Sequence, residues 1–120
     1  MTFALIFRES EAELSRRNGP DAPAYWGAWS AYIDMLDDKG ALVKGAGAGL
    51  EGPEQASTVR VQAGERQIQD GPYPDTKEQI GGLVLVNAAS RAEAEELAAM
   101  APCASAGSVE VRPILPSPGE

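Results

Sequence analysis

The chain has 120 residues, 10 of them basic and 18 acidic, which gives a net charge of −8. A chain of this length forms one domain with a sizeable core, and its acidic balance disfavours binding to nucleic acid or to anionic membranes. The absence of histidine excludes every mechanism that needs an imidazole, and the single cysteine excludes an internal disulfide and a cysteine-ligated zinc site.

The N-terminal segment and Cys103 predict the compartment. The apolar run Phe3–Phe7 is shorter than the hydrophobic region of a signal peptide, and no basic residue precedes it. No stretch of the sequence approaches the ~18 apolar residues of a membrane span. These features predict a cytoplasmic protein, in which Cys103 is either a packed small residue or a reactive thiol.

The first third of the chain predicts a buried strand followed by a long helix. Phe3–Phe7 is apolar on both faces, as in a strand that is covered from both sides. The polar residues from Glu9 to Asn18 indicate a loop with some helical turn. Asp21 is a candidate N-cap, and Gly40 a C-terminal stop, for a helix with one apolar stripe. The stripe consists of Tyr25, Trp26, Trp29, Tyr32, Ile33 and Leu36.

A glycine-rich stretch, Gly45–Gly49, indicates a flexible connection to the next strand. A phosphate-binding loop needs a helix directly after it, and the following Glu51-Gly52-Pro53 does not open one. Apolar and polar residues alternate over Ser57–Ala63, which predicts a strand. After a turn, Gln67–Gln69 is expected to run back as a short hairpin arm.

Three further elements are predicted in the last third of the chain. Gly82–Asn87 is a second strand that is apolar on both faces. Ser90 and Glu93 have the spacing of a capping box for a helix that ends near Met100. Alternation over Ser108–Ile114 predicts the last strand.

The order of these elements predicts an α+β fold, the ferredoxin-like βαββαβ antiparallel sheet with two helices on one face and an extra hairpin arm. The domain is expected over residues 1–115, with a flexible tail over 116–120. The two strands that are apolar on both faces fit the central positions of the sheet. The Val59 and Val109 strands are then its predicted edges.

The sheet face away from the helices is expected to be apolar. Ala4 and Ile6 would lie there, together with either Val84 and Val86 or their alternates along the strand. A bare apolar sheet is an interface or a liability, so the pattern predicts a homodimer that packs sheet against sheet. The alternative is a monomer whose long connections cover this face.

The segment Asp70–Gly82, with the sequence DGPYPDTKEQIGG, is the strongest candidate site. Its prolines and glycines predict a rigid loop that presents Asp70, Tyr73, Lys77 and Glu78, and rigid polar loops beside buried strands often carry binding groups. Alternatively, Lys77 and Glu78 are surface charges, and Asp70 bonds to its own turn.

Trp26 and Trp29 allow two interpretations. They form either an aromatic ligand platform or, as their helical spacing with Tyr25 and Tyr32 favours, part of the core. No pattern indicates a cofactor or a metal site.

The motif DGPYPDTKEQIGG resembles that of YCII-related domain proteins of the DGPF subgroup, whose usual form is DGPFAETKEQ followed by glycines. Thr58–Val61 and Gly107–Ile114 resemble two strands of the same family. The resemblance implies a dimeric α/β barrel and leaves the reaction open. The YCII branch with a His-Asp pair differs from this chain, which has no histidine. Tyr73 stands where the motif usually has Phe, and Pro74-Asp75 replaces Ala-Glu.

A basic cleft is predicted if the valines of the two edge strands face the helices. These valines are Val59, Val61, Val109 and Val111. Arg60 and Arg112 would then enter or line the cleft between subunits, with Lys77 and Tyr73 nearby, and would suit a small anionic ligand. Alternatively, the arginines pair with Glu110 in a satisfied polar network.

Two functional hypotheses follow. In the first, a homodimer binds a small anionic molecule, and Asp70 or Glu78 is the catalytic acid or base if a reaction occurs. In the second, the chain is a non-catalytic interaction or regulatory module, which the resemblance links to an extracytoplasmic-function sigma factor.

Overall fold

The computed structural model describes residues 1–72 and 76–116. Within these ranges the strands and α-helices follow in the order β1 Thr2–Ser10, α1 Glu11–Ser15, α2 Ala22–Asp38, β2 Ala48–Gly49, β3 Ser57–Gln62, β4 Glu65–Asp70, β5 Glu78–Asn87, α3 Arg91–Ala99 and β6 Ser108–Pro113. The main sheet is antiparallel with the strand order β2-β5-β1-β6. The predicted fold class is confirmed. Among the described helices, none is long and apolar enough to span a bilayer.

The core lies between the sheet and the helices α2 and α3. Phe3, Leu5 and Phe7 of β1 are buried because their side chains share the helix-facing side of the strand. Tyr32 and Leu36 of α2 pack in the same core. Strands β1 and β5 are central, as their apolar character on both faces predicts.

The two main helices begin by different means. Ser90 accepts a hydrogen bond from the backbone N–H of Glu93 at 3.2 Å, which confirms the predicted cap of α3. Asp21 precedes α2, but its carboxylate accepts a hydrogen bond from Arg16 at 2.5 Å and does not cap the helix. The helix ends at Asp38, and Gly40 adopts a φ of 71°, the left-handed conformation that glycine supplies after a helix.

The second edge of the main sheet differs from the prediction. The edge strand is β2, where Ala48 pairs with Leu83, and not the strand that contains Val59. The glycine-rich stretch is therefore part of the sheet. Its backbone lies so close to β5 that a Cβ on Gly47 would stand 2.7 Å from the carbonyl oxygen of Leu83.

Strands β3 and β4 form a separate two-stranded sheet, the hairpin arm. Val59 and Val61 are 56% and 69% exposed, so the expectation that they face the helices is wrong. Alternation marks one apolar face of a strand and does not say what covers it. The same expectation is confirmed for Val109 and Val111, which pack against the core.

The sheet has an open face on the side away from the helices. Ala4 and Ile6 lie there as predicted, opposite Leu85 and Leu83. Val84 and Val86 face the helices instead, so the residues of β5 on the open face are their alternates. Ile80, which pairs with Arg8 beyond a register shift in β1, is 43% exposed.

We expect Ser90→Ala to lower the free energy of unfolding by about 1 kcal/mol, because the N-terminus of α3 loses its cap. Ser30→Ala is the matched control, since Ser30 is exposed inside α2, where alanine is the better helix former. Urea unfolding followed by circular dichroism measures both. Equal losses in the two variants would contradict the capping role.

Candidate functional site

Three of the loop residues predicted from the DGPYPDTKEQIGG segment are described, and they have different surroundings. Asp70 is exposed at the end of β4, and Lys77 is exposed just before β5. Glu78 is half-buried, and its carboxylate accepts a hydrogen bond from the hydroxyl of Ser108 at 2.6 Å. Tyr73 lies outside the described residues.

The two predicted arginines belong to different sheets. Arg60 is exposed on the hairpin arm. Arg112 is exposed on β6, on the open face as expected, where it lies 3.4 Å from Glu110. Glu110 also accepts a hydrogen bond from Arg8 at 2.7 Å. Arg112 therefore takes part in the polar network that formed the alternative prediction.

A cavity of about 350 Å³ lies elsewhere, between α2 and the β2 edge of the sheet. One wall consists of side chains of α2, among them Trp26, Trp29 and Ile33. The opposite wall is formed by β2, the segment before it and β5, and it includes Leu42, Val43 and Val84. Five glycines also line the cavity: Gly45, Gly47, Gly49, Gly81 and Gly82. A Cβ would meet no heavy atom within 4 Å at Gly45 and Gly49, so the space beside these two positions is open.

Aromatic contacts hold the tryptophan wall in place. The Trp29 ring meets the rings of Phe7 and Tyr32 edge-on, with centroids 4.8 and 6.1 Å apart. Trp26 packs edge-on against Tyr25 at 4.9 Å and is 47% exposed. The two interpretations of the tryptophans thus coincide, since Trp29 packs against the core and both indoles line the cavity.

Three polar side chains close one end of the cavity: Glu9, Arg17 and Tyr25. The Glu9 side chain is 2% exposed, and Arg17 reaches it at 3.2 Å. The Tyr25 hydroxyl donates to Glu9 Oε1 at 2.6 Å and accepts a hydrogen bond from Arg17 Nε at 3.0 Å. Arg17 also donates to the carbonyl oxygens of Gly81 and Leu50. A buried carboxylate needs such partners, and this cluster supplies a cation and a hydroxyl.

Gly81 makes room for the polar cluster. The register between β1 and β5 shifts here, because Phe7 pairs with Gly82 whereas Arg8 pairs with Ile80. A Cβ on Gly81 would overlap Glu9 Oε2 and would stand 3.0 Å from Arg17 Nη2. The bulge therefore brings the backbone of β5 into contact with the ion pair.

Burial raises the pKa of two groups, one at the polar end of the cavity and one in the core. It raises the pKa of Tyr25 to about 12, and the hydrogen bond to Glu9 acts in the same direction. Tyr25 is therefore a hydrogen-bond donor at neutral pH. Burial likewise raises the pKa of Cys103 to about 12, so its thiol is protonated and packed in the core.

The sequence prediction missed the polar cluster because Glu9 and Arg17 lie in a stretch that looks like a polar loop. One signal was present. Glu9 continues the alternation of Phe3, Leu5 and Phe7, so it occupies a helix-facing position of the same strand.

The YCII-related domain model matches residues 1–118. The chain belongs to the YCII-related domain family. An uncharacterized protein of Rhizobium meliloti (strain 1021) is 41% identical over 106 residues, and the match covers 78% of this chain and 86% of the relative.

A solved structure shares the fold of this YCII-related domain. It is the 5-chloro-2-hydroxyhydroquinone dehydrochlorinase of Burkholderia phenoliruptrix AC1100 in complex with 2,5-dihydroxybenzoquinone, a dimeric α/β barrel protein. The TM-score is 0.54 at 18% identity, and the match covers 96% of this chain and 94% of the other. At this identity the likeness concerns the fold alone.

We expect Arg17→Met to lower the free energy of unfolding by about 3–5 kcal/mol, because it leaves the Glu9 carboxylate buried without its cation. Arg16→Met is the matched control, since Arg16 pairs with Glu13 and Asp21, whose side chains are 24% and 53% exposed, and a much smaller loss is expected. Urea unfolding at pH 7 measures both. Similar losses would show that the buried pair is not the cause.

We expect Tyr25 to make the protein less stable at alkaline pH. The unfolded chain loses the phenol proton near the ordinary pKa of 10.0, whereas the folded chain keeps it to about 12. The stability that this group contributes is present below pH 10 and is lost as the pH rises through 12. Tyr25→Phe should flatten the decline of unfolding free energy between pH 9 and 12, measured by urea unfolding. Parallel curves for the two proteins would contradict this assignment.

Proposed function

We propose that this YCII-related domain binds a small, planar and mainly apolar organic molecule in the cavity between α2 and the glycine edge of the sheet. One observation carries the proposal. The cavity joins two indole rings and a Phe ring to a single buried polar cluster, the arrangement typical of a small-molecule site.

The size and the charge of the cavity limit the ligand. A volume of about 350 Å³ is near the lower end of the volume range of ligand pockets, which favours a compound of one or two rings. Glu9 and Arg17 carry charges of opposite sign 3.2 Å apart, which largely cancel, so the cluster offers little net attraction to an anion. The Tyr25 hydroxyl suits a polar oxygen on an otherwise apolar ring. The fold neighbour is seen with bound 2,5-dihydroxybenzoquinone, which supports a planar compound of one ring.

The anionic ligand predicted from the sequence is the second candidate. Lys77 and Arg17 border a cleft next to the cavity, which gives it some support. Three glutamates border the same cleft, Glu11, Glu51 and Glu54, so its local charge does not favour an anion. If the site catalyses proton transfer, Glu9 is the carboxylate that lines the cavity, while Asp70 and Glu78 stay predictions.

Three finer assignments accompany this function. The motif from Asp70 to Gly82 supports membership of the DGPF subgroup. The open sheet face, with its apolar centre of Ala4, Ile6, Leu83 and Leu85, supports a homodimer that packs sheet against sheet. The one cysteine, buried as a thiol, supports a cytoplasmic protein.

The test compares 1-naphthol with 1-naphthoate, which share a ring system and differ in charge at pH 7. Both tryptophans of the chain line the cavity, so their two indole N–H signals in a ¹H–¹⁵N spectrum report its occupancy. We expect 1-naphthol to shift both signals and to bind at least about tenfold more tightly than 1-naphthoate, because the polar end carries no net charge.

A variant that fills the cavity provides the control. A Cβ on Gly49 meets no heavy atom within 4 Å, so Gly49→Leu should fold and should abolish naphthol binding. Gly27→Leu adds the same bulk on the exposed side of α2 and should leave binding unchanged. Tighter binding of 1-naphthoate, lost in Lys77→Ala at an unchanged melting temperature, would instead support the anionic ligand.

A further inference from the structure

We propose that the hairpin arm, β3 with β4, docks through its apolar face onto a second copy of this chain. This inference goes beyond ligand binding, and it rests on the homodimer proposed above. It concerns a surface that the cavity does not use.

One face of the arm is apolar and uncovered. Val59 pairs with Ile68 and Val61 pairs with Arg66, so these four side chains share a face. Ile68 is 58% exposed, comparable to the two valines. The opposite face is polar throughout. It carries Thr58, Arg60, Gln62, Glu65, Gln67 and Gln69.

The arm is well formed although little of its own chain supports it. Its turn has the positive φ angles of 51° at Ala63 and 77° at Gly64 that a tight two-residue hairpin turn requires. At its base, the N–H of Gly71 donates to the carbonyl of Ala56 at 2.8 Å. Both strands are otherwise exposed along almost their whole length. An isolated two-stranded hairpin is at best marginally stable in water, so an apolar face of this kind needs a cover.

The single chain exposes enough surface for a stable interface. The accessible surface is 7898 Å², whereas a compact monomer of this mass exposes about 6,200 Å². The radius of gyration is 16.1 Å, against about 13.6 Å for a compact domain of this length. A stable interface needs about 800 Å² from each partner, and the excess surface exceeds this value.

A second copy is the partner that best fits these features. The chain exposes a second apolar surface, the open sheet face with Ile80, so two copies related by a twofold axis would cover both surfaces at once. The only charge on the apolar face between the two ends of the arm is the cation Arg66. A cation at this position suits a partner with a net charge of −8.

The docked arm would also restrain the cleft next to the ligand site. The arm leads into Gly71 and Pro72, and Pro72 and Lys77 border the same cleft as Arg17 and Trp26. Contact with a second copy would fix the arm, and with it one end of this border. The homodimer then has a structural role at this cleft.

Ile68→Asp and Gln67→Asp test the docking as a matched pair. They add the same charge at neighbouring positions of β4, one on the apolar face and one on the polar face. We expect the dimer dissociation constant, measured by sedimentation velocity over a concentration series, to rise at least about tenfold in Ile68→Asp and to change less than about twofold in Gln67→Asp. Because Ile68 is exposed in the single chain, the near-ultraviolet circular dichroism of the Phe7–Trp29 core should be unchanged. Equal dissociation constants would overturn the proposal.

A crosslink identifies the surface in contact with the arm. The photoreactive residue p-benzoylphenylalanine at position 61 should give a product of about 25 kDa, twice the mass of 12.6 kDa. With a mixture of ¹⁴N- and ¹⁵N-labelled copies, crosslinked peptides should pair light with heavy chains. Crosslinks confined to one chain would overturn the docking, whereas a wild-type protein that stays monomeric would overturn the homodimer itself. Naphthol binding in Ile68→Asp is measured separately, so neither result is confused with a failure of the ligand site.

Discussion

The burial of one carboxylate constrains much of the structure around the cavity. Glu9 lies on the helix-facing side of β1, where water cannot reach it, so it needs a cation and a hydrogen-bond donor. Arg17 and Tyr25 supply them from two different segments. The bulge at Gly81 then brings the β5 backbone to the same ion pair. This one cluster of contacts thus joins four segments: the end of β1, the turn after α1, the start of α2 and the bulge in β5.

The space between the sheet and the helices is packed differently in its two parts. Beside α3, this space is filled by Phe3, Leu97 and the Leu36 side chain of α2. Beside Trp26 and Trp29 of α2, a cavity remains between the indole rings and the β2 edge of the sheet. The polar cluster closes one end of this cavity, where a charged pair with fixed hydrogen bonds does not collapse into an empty space as aliphatic side chains do.

Most of the fold could be predicted from local patterns, and the site could not. The strand at Phe3 and the cap at Ser90 follow from periodicity and spacing, which depend on neighbouring residues only. The edge of the sheet was assigned to the Val59 strand because its alternation is clear, whereas two residues at Ala48 give almost no signal. The alternation of β1 places Glu9 on the helix-facing side, but nothing local identifies Arg17 and Tyr25 as its partners, and the contact of the ion pair with Gly81 joins segments 64 residues apart or more.

The glycine at position 49 has a consequence for how the shape of the cavity can diverge within this family. Gly49 lines the cavity, and a Cβ added there meets no heavy atom within 4 Å. A substitution at this position therefore alters the shape of the cavity while the helices, the sheet and the buried ion pair keep their contacts. Such a change avoids the loss of stability that a core substitution brings.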